Sequence, residues 1–288
     1  GNIFMGMTES PVLIKNYLPT MNRSEIFLVM VSGMGTIAGS VMGTYIGMLG
    51  GTDPAAKVLF ATHLLSASVM AVPGSIVLAK MLCPQTEEAT DHVAISGKEK
   101  ENSNILDAIS SGTVTGVKLM TNIAAMLLVF ISLVALANYI TEGVIGRYTG
   151  LNDWIVKITD GKAQGLTFQF ILGVITSPFM WLIGVPSQDI MLVGSLLGQK
   201  TILNEFVAYF QLQQWKDAGL FMYEKSILMS TYILCGFANI SSIGILLGGL
   251  GVLAPEKRGL ISRIGVPAMI GGALVSVLSA TIIGMILG

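Results

Sequence analysis

Two glutamates stand in an apolar chain at places that look alike. Glu9 follows Met7-Thr8 and precedes Ser10-Pro11 and an apolar stretch to Leu18. Glu205 follows Leu203-Asn204 and precedes an apolar stretch from Phe206 to Leu212. After each comes a long apolar segment interrupted by small and polar residues, Ser32-Gly33-Met34-Gly35-Thr36 in the first case and Gly236-Phe237-Ala238-Asn239 in the second. A carboxylate within a membrane costs roughly 2.5–3.5 kcal/mol on insertion scales, so it is kept where it binds something. A break in a membrane helix frees N–H and C=O groups that persist unpaired only beside a cavity or a ligand. Half-helix N-termini then favour anionic or hydrogen-bond-accepting groups, and free carbonyls favour cations. The plainer reading has both glutamates at the interface capping short helices, and Ser10-Pro11 is a good helix start. The equivalent placement of the two favours a binding role.

The elements that must hold these groups follow from composition. Of 288 residues, 16 are basic and 17 acidic, so charged residues make up 11%, against roughly a quarter in soluble domains. Residues of the apolar and aromatic set make up 52%, and mean hydropathy is +0.74. Disorder is excluded, because apolar surface is ample and net charge is −1. A soluble globular domain has too little charge here to cover its surface. No basic face is available for nucleic acid. Cys83 and Cys235 form neither a metal spacing nor a disulfide framework. The composition describes an all-α polytopic membrane protein. The chain opens on Gly1, without a signal peptide, and reads as the C-terminal part of a longer protein.

Apolar runs at 25–49, 58–83, 119–141, 166–185, 226–253 and 264–288 are expected to cross or enter the membrane. The hydrophilic stretch 84–104 is a solvated loop, 105–118 an interfacial helix, and 142–163 polar again. Lys257, Arg258 and Arg263 place the loop 254–263 on the cytoplasmic side and the C-terminus outside. The order of polar residue with Glu, amphipathic helix and broken span occurs twice, the pattern of a secondary transporter built from repeats with substrate at the midplane. The expected organisation is a first repeat at 1–83, a polar loop and interfacial helix at 84–118, a scaffold and trimerisation span at 119–142, a second repeat at 143–253, and a basic loop with the last span at 254–288. Gly35, Gly39, Gly43 and Gly47 recur every four residues; Gly43 and Gly47 read as packing positions. The loose match of Gly33-Met34-Gly35-Thr36-Ile37-Ala38 to a dinucleotide fingerprint is discarded, because no strand precedes it.

Gly6-Met7-Thr8-Glu9-Ser10-Pro11, Asn204-Glu205-Phe206-Val207-Ala208-Tyr209 and Cys235-Gly236-Phe237-Ala238-Asn239-Ile240-Ser241-Ser242 resemble the concentrative nucleoside transporters, and the glycine-rich run from Gly244 and Leu253-Ala254-Pro255 continue the match. The resemblance spans essentially the whole chain. It implies an inverted-repeat transport core of two re-entrant helical hairpins and two unwound transmembrane helices with scaffold helices. It implies a homotrimer in membrane lipid, a multi-pass protein of the cell membrane (the bacterial inner membrane), importing nucleosides with sodium or protons by an elevator-type movement. Carried over, Gly6, Met7, Thr8 and Glu9 form the first hairpin tip facing the nucleoside. Glu205 accepts a ribose hydroxyl, Asn239 and Ser242 also hold the ribose, Phe237 packs on the base and Val41 lines the pocket. The coupling ion, sodium, would lie among backbone carbonyls of Asn2, Met5, Thr36 and Ile37 with the Thr36 hydroxyl. The family usually carries Gln where this chain has Met7, and a thioether cannot donate to a base edge.

His63 reads as hydrogen-bonded inside the bundle, His92 as solvated, and Asp189 and Lys200 as interfacial ends or a mutual pair. Trp154, Trp181 and Trp215 fit an aromatic belt, and most of the 17 methionines fit core filling. Two competing readings are a membrane-embedded enzyme using Glu9 and Glu205 as an acid–base pair, for which no nucleophile, metal ligand or cofactor motif is evident, and a cation channel lined by the broken helices.

Overall fold

In a computed structural model, residues 1–87, 104–159, 161 and 163–288 are described. They are helical, with no strand among them. They form two compact units, one of residues Gly1–Ala94 with Gln169–Gly288 and the other of Ile95–Phe168.

The first unit begins with turns and a short 3-10 helix, Ser10–Ile14, in which Pro11 supplies a preset φ. The apolar helix expected from Pro11 to Leu18 thus reduces to five residues. Next come α1 (Arg23–Gly35), α2 (Gly39–Gly50) and α3 (Pro54–Leu82). Asn22 and Glu25 form a capping box that starts α1, and Asp53 caps α3, which begins at Pro54. The break between α1 and α2 covers Thr36-Ile37-Ala38, slightly later than expected, because Ser32, Gly33 and Gly35 stay helical. Their smallness serves close approach: a Cβ on Gly33 would lie 3.1 Å from the Met7 Cβ, and one on Gly35 would lie 3.1 Å from Val275. Gly43 and Gly47, expected as packing positions, face open space, with nothing within 4 Å of a built Cβ.

The second unit contains α4 (Ile105–Asn138), a π-helical segment Tyr139–Gly146, α5 (Arg147–Thr149) and α6 (Leu151–Ile158). One continuous helix replaces the separate interfacial helix and span expected at 105–118 and 119–141, and it is capped by Asn104. Asn152 holds the π segment, donating to the Glu142 carbonyl and accepting from Leu166 N–H, both at 3.0 Å. His92 and most of the expected loop 84–104 lie outside the described residues.

The rest of the first unit is α7 (Phe168–Leu182), α8 (Ile190–Ile202), α9 (Glu205–Asp217), α10 (Glu224–Leu234), α11 (Ile240–Leu253) and α12 (Arg258–Ile286). α8 and α9 form a helical hairpin whose tip is Leu203-Asn204, with the Asn204 side chain capping α9. α10 and α11 are separated by Cys235–Asn239, the break anticipated in sequence. The central member is α12, which packs on α1, α3, α10 and α11. Small residues let the others approach: a Cβ on Gly272 would lie 2.7 Å from the Met34 Cβ, and one on Gly265 would lie 2.6 Å from Ile243. Among the described residues, Arg23–Gly50, Pro54–Leu82 and Pro255–Ile286 are long and apolar enough to cross a membrane. Val58, Val69, Ile76, Val77 and Met81 of α3 are exposed, an apolar face suited to lipid.

Candidate functional site

The two breaks meet. The Phe237 N–H of the second donates to the Thr36 carbonyl of the first at 3.3 Å. Gly236 makes this possible with φ 146°, a conformation that side chains rarely adopt, and a Cβ there would lie 2.8 Å from the Met34 carbonyl. Both breaks are therefore held by chain atoms from elsewhere, as freed backbone groups in an apolar setting require.

Beside the second break lies a buried polar cluster. Asn239 caps α11: its Oδ1 accepts from Ser242 N–H at 2.9 Å, the Ser242 hydroxyl at 3.0 Å and the Ser241 hydroxyl at 2.6 Å. With that oxygen engaged, the amide nitrogen turns to the Glu205 carboxylate and donates at 2.9 Å. The other carboxylate oxygen accepts from Tyr45 at 3.4 Å. Tyr45 comes from α2, stacks on Tyr209 with ring centroids 4.1 Å apart, and is fully buried. Tyr209 in turn donates to the Thr231 carbonyl at 2.8 Å. Glu205 is the first residue of α9, where helix N–H groups and the dipole favour negative charge. Glu205, Asn239 and Ser242 are thus brought together, and they are 7%, 3% and 1% exposed. A carboxylate with further lone pairs next to a hydroxyl is a hydrogen-bonding site for a polyhydroxylated ligand.

The N-terminal segment sits on the first break. Gly39 N–H donates to the Phe4 carbonyl at 3.0 Å. Asn2 donates to the Ser32 hydroxyl at 2.6 Å and accepts from the Ser10 hydroxyl. Thr36 donates its hydroxyl back to the Ser32 carbonyl at 3.0 Å. Asn2 and Thr36 therefore converge on Ser32, while Met5 and Ile37 neighbour the joined Phe4 and Gly39. Uncharged hard oxygen atoms of this kind suit an alkali cation. Met7 is buried in an apolar cluster against which Phe237 packs, and Val41 borders the other apolar cluster. Thr8 lies over Gly249, whose Cβ would be 2.9 Å from its methyl group. Glu9 is exposed, with its carboxylate folded against Gly6.

Two participants, Tyr45 and Tyr209, escaped the sequence reading, while Asp189 and Lys200, expected as interfacial ends or a mutual pair, are fully buried and not paired with each other. Tyr45 lies within a glycine-rich span, where an aromatic residue reads as packing. Tyr209 closes the motif that begins at Asn204, where the conspicuous residue is Glu205. Lys200 and Asp189 have partners of their own: Asp189 accepts from Met222 and Tyr223 N–H at 3.0 and 3.1 Å, and Lys200 binds the end of α10. The signal was present, since a lysine in an apolar hairpin arm needs acceptors. His63 does pair within the bundle, its Nδ1 3.1 Å from the Tyr232 hydroxyl.

Two facing helix breaks, a helical hairpin and a buried carboxylate beside the second break make up the candidate site. The chain belongs to the family described as Na+ dependent nucleoside transporter C-terminus, which matches residues 63–284. It is 39% identical over 290 residues to an uncharacterized transporter of Haemophilus influenzae, covering 100% of this chain and 64% of that protein. It is 39% identical over 300 residues to sodium/nucleoside cotransporter 1 of Rattus norvegicus, covering 99% of this chain and 43% of that protein. The fold matches CNTnw in an inward-facing substrate-bound state with a TM-score of 0.82 and 35% identity, over 100% of this chain and 63% of that one. It matches a CNTnw variant in an outward-facing state with a TM-score of 0.83 and 36% identity, over 99% of this chain and 63% of that one. The chain thus spans less than two thirds of these relatives. They are transporters, which sets aside the acid–base enzyme reading of Glu9 and Glu205.

Proposed function

We propose that this chain forms the transport core of a sodium-coupled nucleoside importer, a homotrimer in the lipid of a cell membrane, the bacterial inner membrane. The observation that carries the reading is the buried Glu205–Asn239 pair at 2.9 Å, completed by Ser242 and placed where the two breaks meet. Glu205, Asn239 and Ser242 hold the ribose hydroxyls. Phe237, Val41 and Met7 supply the apolar surface for the base, and Gly6, Thr8 and Glu9 close the site from the first hairpin. Sodium takes the oxygen atoms of Asn2, Met5, Thr36 and Ile37. The sodium/nucleoside cotransporter name of the rat relative supports this ion over a proton.

Residues 1–83 and 143–253 act as repeats related by inversion, with α8–α9 as a re-entrant hairpin. The core moves as an elevator past scaffold helices. Relatives solved in inward-facing and outward-facing states, both matching this fold, support that movement. The test is uptake of labelled uridine and adenosine by proteoliposomes of the intact protein, with and without a sodium gradient. Glu205→Gln should severely weaken uptake while leaving the protein folded, because a charge-assisted bond to a sugar hydroxyl is worth about 1.5–3 kcal/mol. Unchanged uridine affinity in that variant would remove Glu205 from the site. A cation leak in the absence of nucleoside would favour the channel reading instead.

A further inference from the structure

The transport reading leaves one buried cationic side chain unused. Lys200 lies in the last turn of α8 and is 0% exposed. Its Nζ donates to the Ile233 carbonyl at 2.8 Å and to the Ser276 hydroxyl at 3.0 Å. Ile233 is in the last turn of α10, where carbonyls lack intrahelical partners. Ser276, on α12, donates its own hydroxyl to the Cys235 carbonyl at 2.8 Å, inside the second break. The ammonium group therefore sits where the C-terminal ends of α8 and α10 converge, and both ends carry partial negative charge. A helix-end carbonyl and a hydroxyl, both at short range and away from solvent, are surroundings that a bound cation seeks.

The first break is built differently. α1 ends with no basic residue in its last turn. The side chains at that break are Asn2, Ser32 and Thr36, all uncharged. Among the described residues, the second break thus carries a cation as part of the chain, while the side chains that bond one another at the first, Asn2, Ser32 and Thr36, are neutral.

We propose that Lys200 is a tethered cation. It takes at the second break the place that the exchangeable coupling ion takes at the first, and so keeps a second cation from entering there. It also fixes the hairpin tip that presents Glu205, and so acts as a positioning residue for substrate. This rests on the transport reading above.

The experiment measures labelled sodium and labelled uridine fluxes through the intact protein in proteoliposomes. The unaltered protein should show a sodium dependence with a slope of about one. In Lys200→Ala, the vacated site should admit a second cation, so the slope rises toward about two. Uptake at low sodium should fall at least about tenfold as the charge-assisted bonds are lost. Added ammonium or methylammonium should restore part of the uptake in Lys200→Ala but not in Lys200→Met, whose side chain fills the space. A Lys200→Ala protein with the original slope and flux ratio and no response to ammonium would overturn the proposal, since a merely structural lysine changes yield and not ion count. If neither variant accumulates, Ser276→Ala keeps the ammonium and removes one acceptor. It should keep the slope of about one and bind uridine several-fold more weakly, and unchanged binding would overturn the proposal. An unaltered protein that transports without sodium dependence would sink the transport reading separately, and Lys200 is then judged on ammonium rescue alone.

Discussion

The Phe237 N–H and the Thr36 carbonyl, 3.3 Å apart, join the two broken helices at their breaks. A change of backbone at one break is therefore felt at the other, so the cation and substrate sites proposed above would share one structural element.

Thr36→Val tests that linkage. Valine keeps the shape and the carbonyl but removes the hydroxyl that now donates to Ser32 at 3.0 Å. The sodium dependence of uptake should move to higher concentration, and nucleoside affinity should fall at low sodium and recover at high sodium, because linked binding is reciprocal. A sodium titration identical to that of the unaltered protein would put the cation elsewhere.

Tyr45→Phe removes a donor from Glu205 and retains the ring that stacks on Tyr209. The bond is long at 3.4 Å, so its loss should cost about 1 kcal/mol or less, a weakening of nucleoside affinity by several-fold at most, with normal membrane abundance. Tyr45→Ala also empties a fully buried ring position and should lower stability by about 3–5 kcal/mol, read as a large fall in Tm. Equal effects of the two changes would show that the hydroxyl, and not the packing, dominates.

Gly236 and Gly43 should respond oppositely to alanine. At Gly236 the φ of 146° and the Met34 carbonyl 2.8 Å from a built Cβ leave no room. Gly236→Ala should cost on the order of 1–3 kcal/mol and disrupt transport. Gly43 lies in α2 with open space around its Cβ position. Gly43→Ala should raise stability by up to about 1 kcal/mol through helix propensity alone. Thermal unfolding in detergent measures both.

Met7 should weaken discrimination between bases. It is 7% exposed, within the apolar cluster that Phe237 borders, and apolar contacts separate related ligands only weakly. The unaltered protein should accept purine and pyrimidine nucleosides with similar affinity or lean toward purines. Met7→Gln should move it toward pyrimidines by about 1 kcal/mol, the worth of one net hydrogen bond. Competition by uridine, cytidine, adenosine and inosine against one labelled substrate reports the shift. Strict pyrimidine selectivity in both versions would remove Met7 from base recognition.

Short-range chemistry decides much of this protein before it folds. With 11% charged residues, the chain cannot cover a water-soluble surface. Asn204 and Asn239 each begin a helix because an Asn side chain satisfies orphan N–H groups three residues on. The second break was legible for the same reason, with glycine and a capping residue close together. The first was placed too early, because small residues such as Gly33 and Gly35 mark both helix breaks and close helix contacts, and here they mark contacts. What lies beyond local spacing was decided by packing. Tyr45 and Glu205 are 160 residues apart, and Lys200 and Ser276 are 76 apart. Nothing in a helical period links such positions. They meet because buried polar groups must find partners, and the approach of α2, α8, α10 and α12 determines which partners are within reach.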